Sequence, residues 1–449
     1  MLFCSEKFIF LFLPVFLLIY YLVPARARNP VLFLGSLWFY FTGEKTWFFL
    51  ILVSLAGHYV GTRCMAGRSD RQRRRILTGL LVYDFATLFF FKYVHVLLPD
   101  WKLDQPLGIS FYTFQIAAYA IDVYRRPEEY TDSFVKLGTY LSMFPQLIAG
   151  PIVLFGDVKK QLQNRRVSLA GLQEGLQVFV IGLSYKMLIA NILGNLWHEI
   201  LVVGVESIST PMAWMGALAC SMQLYFDFNG YSLMAIGLGC MLGFTLPRNF
   251  RQPYLAVSVT DFWRRWHITL SGWFREYLYI PLGGSRKGQA RTILNLFVVW
   301  AFTGMWHGAG WNFLFWGIYY FVFLVLEKFL LGHFWEKHPG LSRCYTLLVV
   351  LVGCVIFSVD RFGDIGIYLK KMFFLTADWN SNPAVTWNAL TRYGAFFAVS
   401  VLCSTCVVEN LYRKYRNRLW LKLVLLALFW ICVYRMATAA SNPFLYFRF

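Results

Sequence analysis

Long apolar runs follow one another along almost the whole chain, with only short polar loops between them. A helix needs roughly 20 apolar residues to cross the hydrocarbon of a bilayer, and a soluble core does not require such runs again and again. We therefore expect an all-α, polytopic integral membrane protein with roughly ten to thirteen spans, the shorter runs being tilted, re-entrant or paired. The predicted helical segments are about 7–23, 30–42, 46–62, 76–98, 107–124, 134–153, 172–192, 211–228, 230–246, 293–305, 309–331, 345–359, 392–408 and 420–437.

The composition supports a membrane location for the entire chain. Of its 449 residues, 58% are hydrophobic and only 14% are charged, whereas a soluble domain carries about 25% charged residues. The longest relatively polar stretches, about 247–292 and 360–391, are too short to bury a core of their own. We expect one membrane-embedded domain over residues 1–449, in the cytoplasmic membrane of a bacterium, with the lipid bilayer as its surroundings.

The net charge of +19 comes from short basic bursts between the apolar runs. Loops rich in Lys and Arg stay on the cytoplasmic side, near anionic lipid, so no nucleic-acid partner is expected. This rule places the loop 63–75 and the segment 248–291 in the cytoplasm, and the N-terminus outside. The segment 248–291 carries eight basic and two acidic residues and many aromatic ones, which is typical of amphipathic helices at a membrane interface.

His307 is the most informative polar residue inside an apolar run. Ionisable groups within membrane spans are costly and by default mark a functional site. His307 lies about 15 residues beyond the last basic residue of the preceding loop, roughly 20 Å into a bilayer about 30 Å thick. A buried imidazole stays neutral and can accept a proton. The residues alone leave two interpretations open, a general base or a structural histidine bonded to a carbonyl group on a neighbouring helix.

Three tryptophans surround His307 in the sequence and could line an apolar slot while offering indole N–H donors. They are Trp306, Trp311 and Trp316. Asp227 ends an apolar run, where it either contacts a substrate or an imidazole or is a loop carboxylate paired with Lys or Arg. His267 is less informative, because a solvated or phosphate-facing histidine is ordinary at an interface. No Cys or Glu lies at ligand spacing from the two histidines, so no metal site is expected.

Several long segments, in order and covering nearly the whole chain, resemble the membrane-bound O-acyltransferase family, and within it the branch concerned with alginate O-acetylation. They are PLGISFYTFQIAAYAIDVYR (106–125), FPQLIAGPI (144–152), YFDFNGYSLMAIGLGCMLGF (225–244), RNFRQPY (248–254), TDFWRRWHITLSGWFREYLYIPLGGSR (260–286), MWHGAGWNFLFWG (305–317) and SNPFLYFRF (441–449). The core of the resemblance is about 106–320. One departure is Leu233, where relatives often carry Asp, so no role is carried over for that carboxylate.

The resemblance implies a helical bundle around a narrow tunnel. It also implies that His307, in the WHG motif, is the catalytic residue, and that His267 matches a second, less uniform histidine of the family. His307 would remove a proton from an acceptor hydroxyl, which then attacks the carbonyl carbon of an acyl thioester. Trp306, Asn312 or His267 would stabilise the resulting oxyanion.

The resemblance further implies the substrates and partners. The acyl donor would be acetyl-CoA or another acyl thioester, a substrate rather than a bound cofactor, arriving from the cytoplasm. The acceptor would be an exported polysaccharide, reached through a separate extracytoplasmic acetyltransferase. Four basic residues could meet the phosphates of CoA, namely Arg264, Arg265, Arg286 and Lys287.

Two other functions fit part of the sequence. One is a D-alanyl or other acyl transferase of the same family, which shares the buried histidine but takes its acyl group from a carrier protein. The other is a transporter in which His307 and Asp227 form a proton relay. The absence of internal repeats and the basic interfacial segment speak against a transporter.

Overall fold

A computed structural model of the protein describes residues 3–98, 100–101, 103–373 and 383–438. Within these ranges the ordered elements are helical and no strand is present, which confirms the all-α, polytopic class. The segment SNPFLYFRF (441–449) lies outside the described residues.

Short connections join successive helices. Some helices contain a short π-helical segment, in which each turn holds about one more residue than in an α-helix. Those of the first part are α1 (Lys7–Leu22), α2 (Arg28–Gly43), α3 (Phe48–Met65), α4 (Asp70–Leu97), α5 (Ile109–Arg125), α6 (Phe134–Ser142), α7 (Phe144–Leu147), α8 (Phe155–Gln163) and α9 (Leu169–Val203). Those of the second part are α10 (Thr210–Met241), α11 (Val259–Arg265), α12 (Ile268–Phe274), α13 (Gln289–His307), α14 (Trp311–Trp335), α15 (Pro339–Ser358), α16 (Phe362–Met372), α17 (Pro383–Cys403), α18 (Val407–Tyr415) and α19 (Leu419–Thr438).

Six of the described helices are long and apolar enough to cross a membrane, namely α3, α4, α9, α14, α15 and α19. The pair α17 and α18, bent by 66°, makes a seventh if it is one span. Fewer described helices meet this criterion of length and apolar character than the ten to thirteen spans expected, in part because some apolar runs form shorter helices. The run 134–153, for example, breaks at Met143 into α6 and α7. The runs 211–228 and 230–246, predicted as separate spans, form the single helix α10.

Contacts along the backbone divide the chain into two compact units. Among the described residues, the first unit contains those of 3–182, 231–248 and 436–438, and the second contains those of 183–230 and 249–435. A buried polar pair lies in the first unit, where Nε2 of His58 on α3 is 3.0 Å from the Asp84 carboxylate on α4. All the residues predicted for the functional site lie in the second unit.

Helices α13 and α14 pack closely where they cross, because a glycine residue of each helix faces the backbone of the other helix. A Cβ atom on Gly304 would lie 2.5 Å from the Phe313 carbonyl oxygen, and one on Gly317 would collide with the Trp300 carbonyl oxygen. Only residues without side chains permit this approach. The close packing holds the C-terminal turn of α13, which ends at His307.

Candidate active site

The two histidines singled out in the sequence line one cavity of about 260 Å³ in the second unit. Its walls are mostly apolar and rich in aromatic rings, with a minority of polar side chains. The lining residues include Asp227, Phe228, Thr260, Trp263, Arg264, Trp266, His267, Arg275, Trp300, His307, Trp316, Tyr320 and Phe357. An apolar pocket with a few convergent polar groups is the usual form of a binding site for small molecules.

His307 is 7% exposed and sits in the last turn of α13. Three aromatic rings meet its imidazole edge to face, with ring centroids 4.8 Å away for Trp306 and 5.0 Å away for Trp316 and Phe357. The ring is therefore buried among aromatic side chains, as expected. Because it also lines the cavity, it can reach a ligand there while remaining largely shielded from bulk water.

His267 is 2% exposed, so the prediction of an interfacial, solvated histidine is wrong. It connects α11 to α12, outside the long apolar helices, and its φ of +45° lies in the left-handed region. Its Nδ1 atom is 3.1 Å from Oδ1 of Asn249. The same oxygen accepts hydrogen bonds from the backbone N–H and the hydroxyl of Thr269. Burial away from water lowers the pKa of His267 to about 3.

A buried carboxylate fixes the helix that precedes His267. Glu327 on α14 accepts hydrogen bonds from the backbone N–H groups of Val259 and Thr260, at 2.6 and 2.9 Å, and from the Thr260 hydroxyl at 2.7 Å. The first N–H groups of a helix have no partner within it, and a negative charge there is favourable. Glu327 therefore anchors the start of α11, whose last turn carries Arg264.

Asp227 lies on the cavity wall in the middle of α10, so the interpretation that it belongs to a loop is wrong. Its carboxylate forms an ion pair with Lys186 of α9, and both side chains are buried. Of the two interpretations left open by the sequence, pairing with a basic residue is therefore confirmed, although the pair lies within helices and not in a loop.

The two arginines of α11 have different surroundings. Arg264 lines the cavity and is exposed. Nε of Arg265 instead donates to both oxygens of the Asp261 carboxylate, at 2.9 and 3.0 Å, and Arg265 is not among the lining residues. The structure therefore brings Arg264 to the site and leaves Arg265 in a local ion pair.

The residues predicted to donate a hydrogen bond to the oxyanion also differ in their positions relative to the cavity. The side-chain amide of Asn312 donates to the Phe357 carbonyl group at 3.0 Å, and Asn312 does not line the cavity. Trp306 lies behind the wall, with its ring 4.8 Å from His307 and 6.2 Å from His267. Trp311 is 76% exposed, so the expectation that it lines the slot is wrong.

Some residues of the site were not identified as functional from the sequence. Trp263 lines the cavity, and its indole N–H is buried with no hydrogen-bond acceptor among the described residues. Lys186 stands within the apolar run predicted at 172–192, so the rule that singled out His307 could have found it. Asn249 carried no signal beyond its place in the segment RNFRQPY, because its importance depends on its contact with His267.

Comparison with known proteins identifies the family. The model of the membrane-bound O-acyltransferase family matches residues 76–359, a stretch that includes both histidines and the cavity. The chain belongs to this family. It is accordingly a membrane-bound acyltransferase that uses an acyl donor, and its apolar helices make it a multi-pass protein of a bacterial membrane.

Three named proteins are similar to this chain over most of their length. The chain is 34% identical to a protein of Pseudomonas putida named "Probable alginate O-acetylase AlgI", with all of both chains covered. It is 36% identical to a peptidoglycan O-acetyltransferase of Helicobacter pylori, over 73% of this chain and 70% of the other. A teichoic acid D-alanyltransferase of Bacillus subtilis is 26% identical, over 57% of this chain and 67% of the other.

Proposed function

We propose that this membrane-bound O-acyltransferase passes acetyl groups from cytoplasmic acetyl-CoA toward the hydroxyl groups of an exported or cell-surface polysaccharide. The observation that carries the proposal is the placement of two buried histidines on one narrow, aromatic cavity. The similarity to an alginate O-acetylase and to a peptidoglycan O-acetyltransferase supports acetyl as the transferred group and a polysaccharide as the acceptor.

The size of the cavity suits the acyl end of a thioester. At about 260 Å³ it is slightly smaller than the roughly 300 Å³ at which pockets for small molecules begin. A slender acyl-pantetheine arm could enter, whereas the nucleotide of CoA would stay outside. Arg264 and Arg275 are exposed and also line the cavity, so they are the groups we assign to the phosphates, in place of the paired Arg265.

His307 would act as the general base. It takes the proton from an acceptor hydroxyl, whose oxygen attacks the thioester carbonyl carbon. As the tetrahedral intermediate collapses, the C–S bond breaks and the proton returns from His307 to the leaving sulfur. The net change is an ester and a thiol formed from a thioester and a hydroxyl group.

The developing oxyanion requires a hydrogen-bond donor. We assign this role to the indole N–H of Trp263, because it is buried, lines the cavity and has no acceptor among the described residues. Asn312, by contrast, already donates to the Phe357 carbonyl group. We further propose that a separate extracytoplasmic acetyltransferase completes delivery to the polymer.

Purified protein in liposomes tests this function against the two alternatives. With labelled acetyl-CoA on the side of the basic loops, we expect release of CoA and transfer of the label to an added acceptor. Turnover only with a D-alanyl carrier protein would favour the carrier-fed transferase, and solute flux without turnover would favour a transporter. The variant His307→Ala, reconstituted at the same density, is the control for enzymatic turnover.

A further inference from the structure

Three hydrogen-bond donors converge on a single side-chain oxygen beside His267. Oδ1 of Asn249 lies 3.3 Å from the backbone nitrogen of Thr269, 3.0 Å from its hydroxyl oxygen and 3.1 Å from Nδ1 of His267. A backbone N–H group can only donate, so the Asn249 atom that faces it must be the amide oxygen and not the amide nitrogen. The orientation of the amide is therefore determined by its neighbours.

The orientation of Asn249 determines where the imidazole carries its hydrogen. An amide oxygen can only accept, so Nδ1 of His267 must be the protonated ring nitrogen. The imidazole is neutral in this environment, because burial lowers its pKa to about 3. A neutral imidazole with its hydrogen on Nδ1 has a lone pair on Nε2. His267 can therefore accept a hydrogen bond through Nε2 and cannot donate one.

The backbone around His267 is held in the same arrangement. The carbonyl group of Asn249 accepts a hydrogen bond from the Ile268 N–H at 2.9 Å, and Phe228 packs edge-on against the imidazole at 4.7 Å. A residue other than glycine in the left-handed region persists only where its surroundings impose it. The left-handed φ of His267 thus indicates that the segment around Asn249 constrains both the backbone and the ring.

We propose that Asn249 is a positioning residue that holds His267 in the Nδ1–H tautomer, so that Nε2 accepts a hydrogen bond from an O–H or N–H group of the substrate. This inference rests on the proposed function, and it changes the role of His267 from a donor for the oxyanion to an acceptor. The substrate group is either the acceptor hydroxyl or an amide N–H of the pantetheine arm, since both present a donor to Nε2.

Nitrogen NMR of the full-length protein in lipid, labelled with ¹⁵N-histidine, reads the tautomer without any assay of activity. The variant His267→Gln identifies the two signals of His267. We expect a protonated Nδ1 and an unprotonated Nε2, and we expect this pattern to be lost in Asn249→Leu. A protonated Nε2 in the unaltered protein would overturn the proposal. This measurement remains valid even if acetyl-CoA proves not to be the donor.

A second experiment measures acetyl transfer by variants that are present in the membrane at matched levels, with Thr269→Val as the control. Thr269→Val removes one of the three donors to Asn249 and leaves His267 unchanged, so its turnover should stay within about threefold of that of the unaltered protein. Asn249→Leu should lower turnover about 10²-fold, because the imidazole ring is misplaced. A higher KM for acetyl-CoA in Asn249→Leu would assign the pantetheine amide, and an unchanged KM would assign the hydroxyl. Equal losses in the two variants would show a merely structural role and overturn the proposal.

Discussion

Lys186 on α9 and Asp227 on α10 form an ion pair with both side chains buried, and Asp227 lies on the wall of the cavity. Lys186 belongs to a widened turn of α9, Tyr185–Ala190, and turns of this kind are frequent at functional sites. The pair places a carboxylate in the cavity wall without leaving a net charge in an apolar environment. Each residue therefore depends on the other.

Removing one partner of this pair should destabilise the protein. We expect Lys186→Met, and separately Asp227→Leu, to cost about 3–5 kcal/mol, because a buried charge is left uncompensated. The double variant should regain most of this loss, since neither charge remains. Thermal unfolding in detergent, together with the amount of protein in the membrane, measures the effect. A double variant as unstable as the single ones would contradict the pairing.

The general base is tested by His307→Ala. Because His307 is enclosed by aromatic rings and lines the cavity, we expect O-acetylation of the exported polymer to be abolished while the protein stays in the membrane at normal levels. The exposed His338 offers a matched control, since His338→Ala should leave acetylation unchanged. Acetylated polymer from cells that carry only His307→Ala would refute the assignment.

His267→Ala should weaken activity less than His307→Ala does. The loss of one hydrogen bond to the substrate costs less than the loss of the base, because no hydroxide readily replaces a base in a site closed to bulk water. Both variants are compared for acetyl transfer to the same acceptor at matched levels. If His267→Ala were inactive and His307→Ala kept measurable turnover, the two roles would have to be exchanged.

The donor assigned to the oxyanion is tested by Trp263→Phe, which removes the indole N–H and keeps an aromatic ring. We expect kcat to fall about 10²–10³-fold with little change in KM, because the hydrogen bond forms only as charge develops. Trp300 packs 4.8 Å from Trp263 and also lines the cavity, so Trp300→Phe is the control for lost packing. An equal fall in both variants would remove the special role of the Trp263 N–H.

The orientation in the membrane is tested with single cysteines in a background without the native ones. Cysteines at Arg71 and at Lys287, in the two basic segments, should react with an impermeant reagent only after the cells are opened. A cysteine at Lys45, between α2 and α3, should react in intact cells. Labelling of both basic segments from outside would reverse the topology and the side from which the acyl donor arrives.

The class of protein and the position of its central histidine could be predicted from sequence because both depend on local properties. The cost of exposing a polar backbone or an ionisable side chain to hydrocarbon shows directly in a run of apolar residues. This is why the helical membrane class and the burial of His307 were both found. The division of the apolar runs into helices could not be predicted, because two adjacent runs merge in α10 and one run divides at Met143.

Only the tertiary structure decided what each polar group of the site does. The partners of Asp227 and Asn312, like the burial of His267, depend on which elements pack against them. The tautomer of His267 depends on one amide oxygen contributed by Asn249, a residue distant in the chain. Hydrogen bonds and ion pairs act over a few ångströms, and the sequence does not state which distant residues become neighbours at that range.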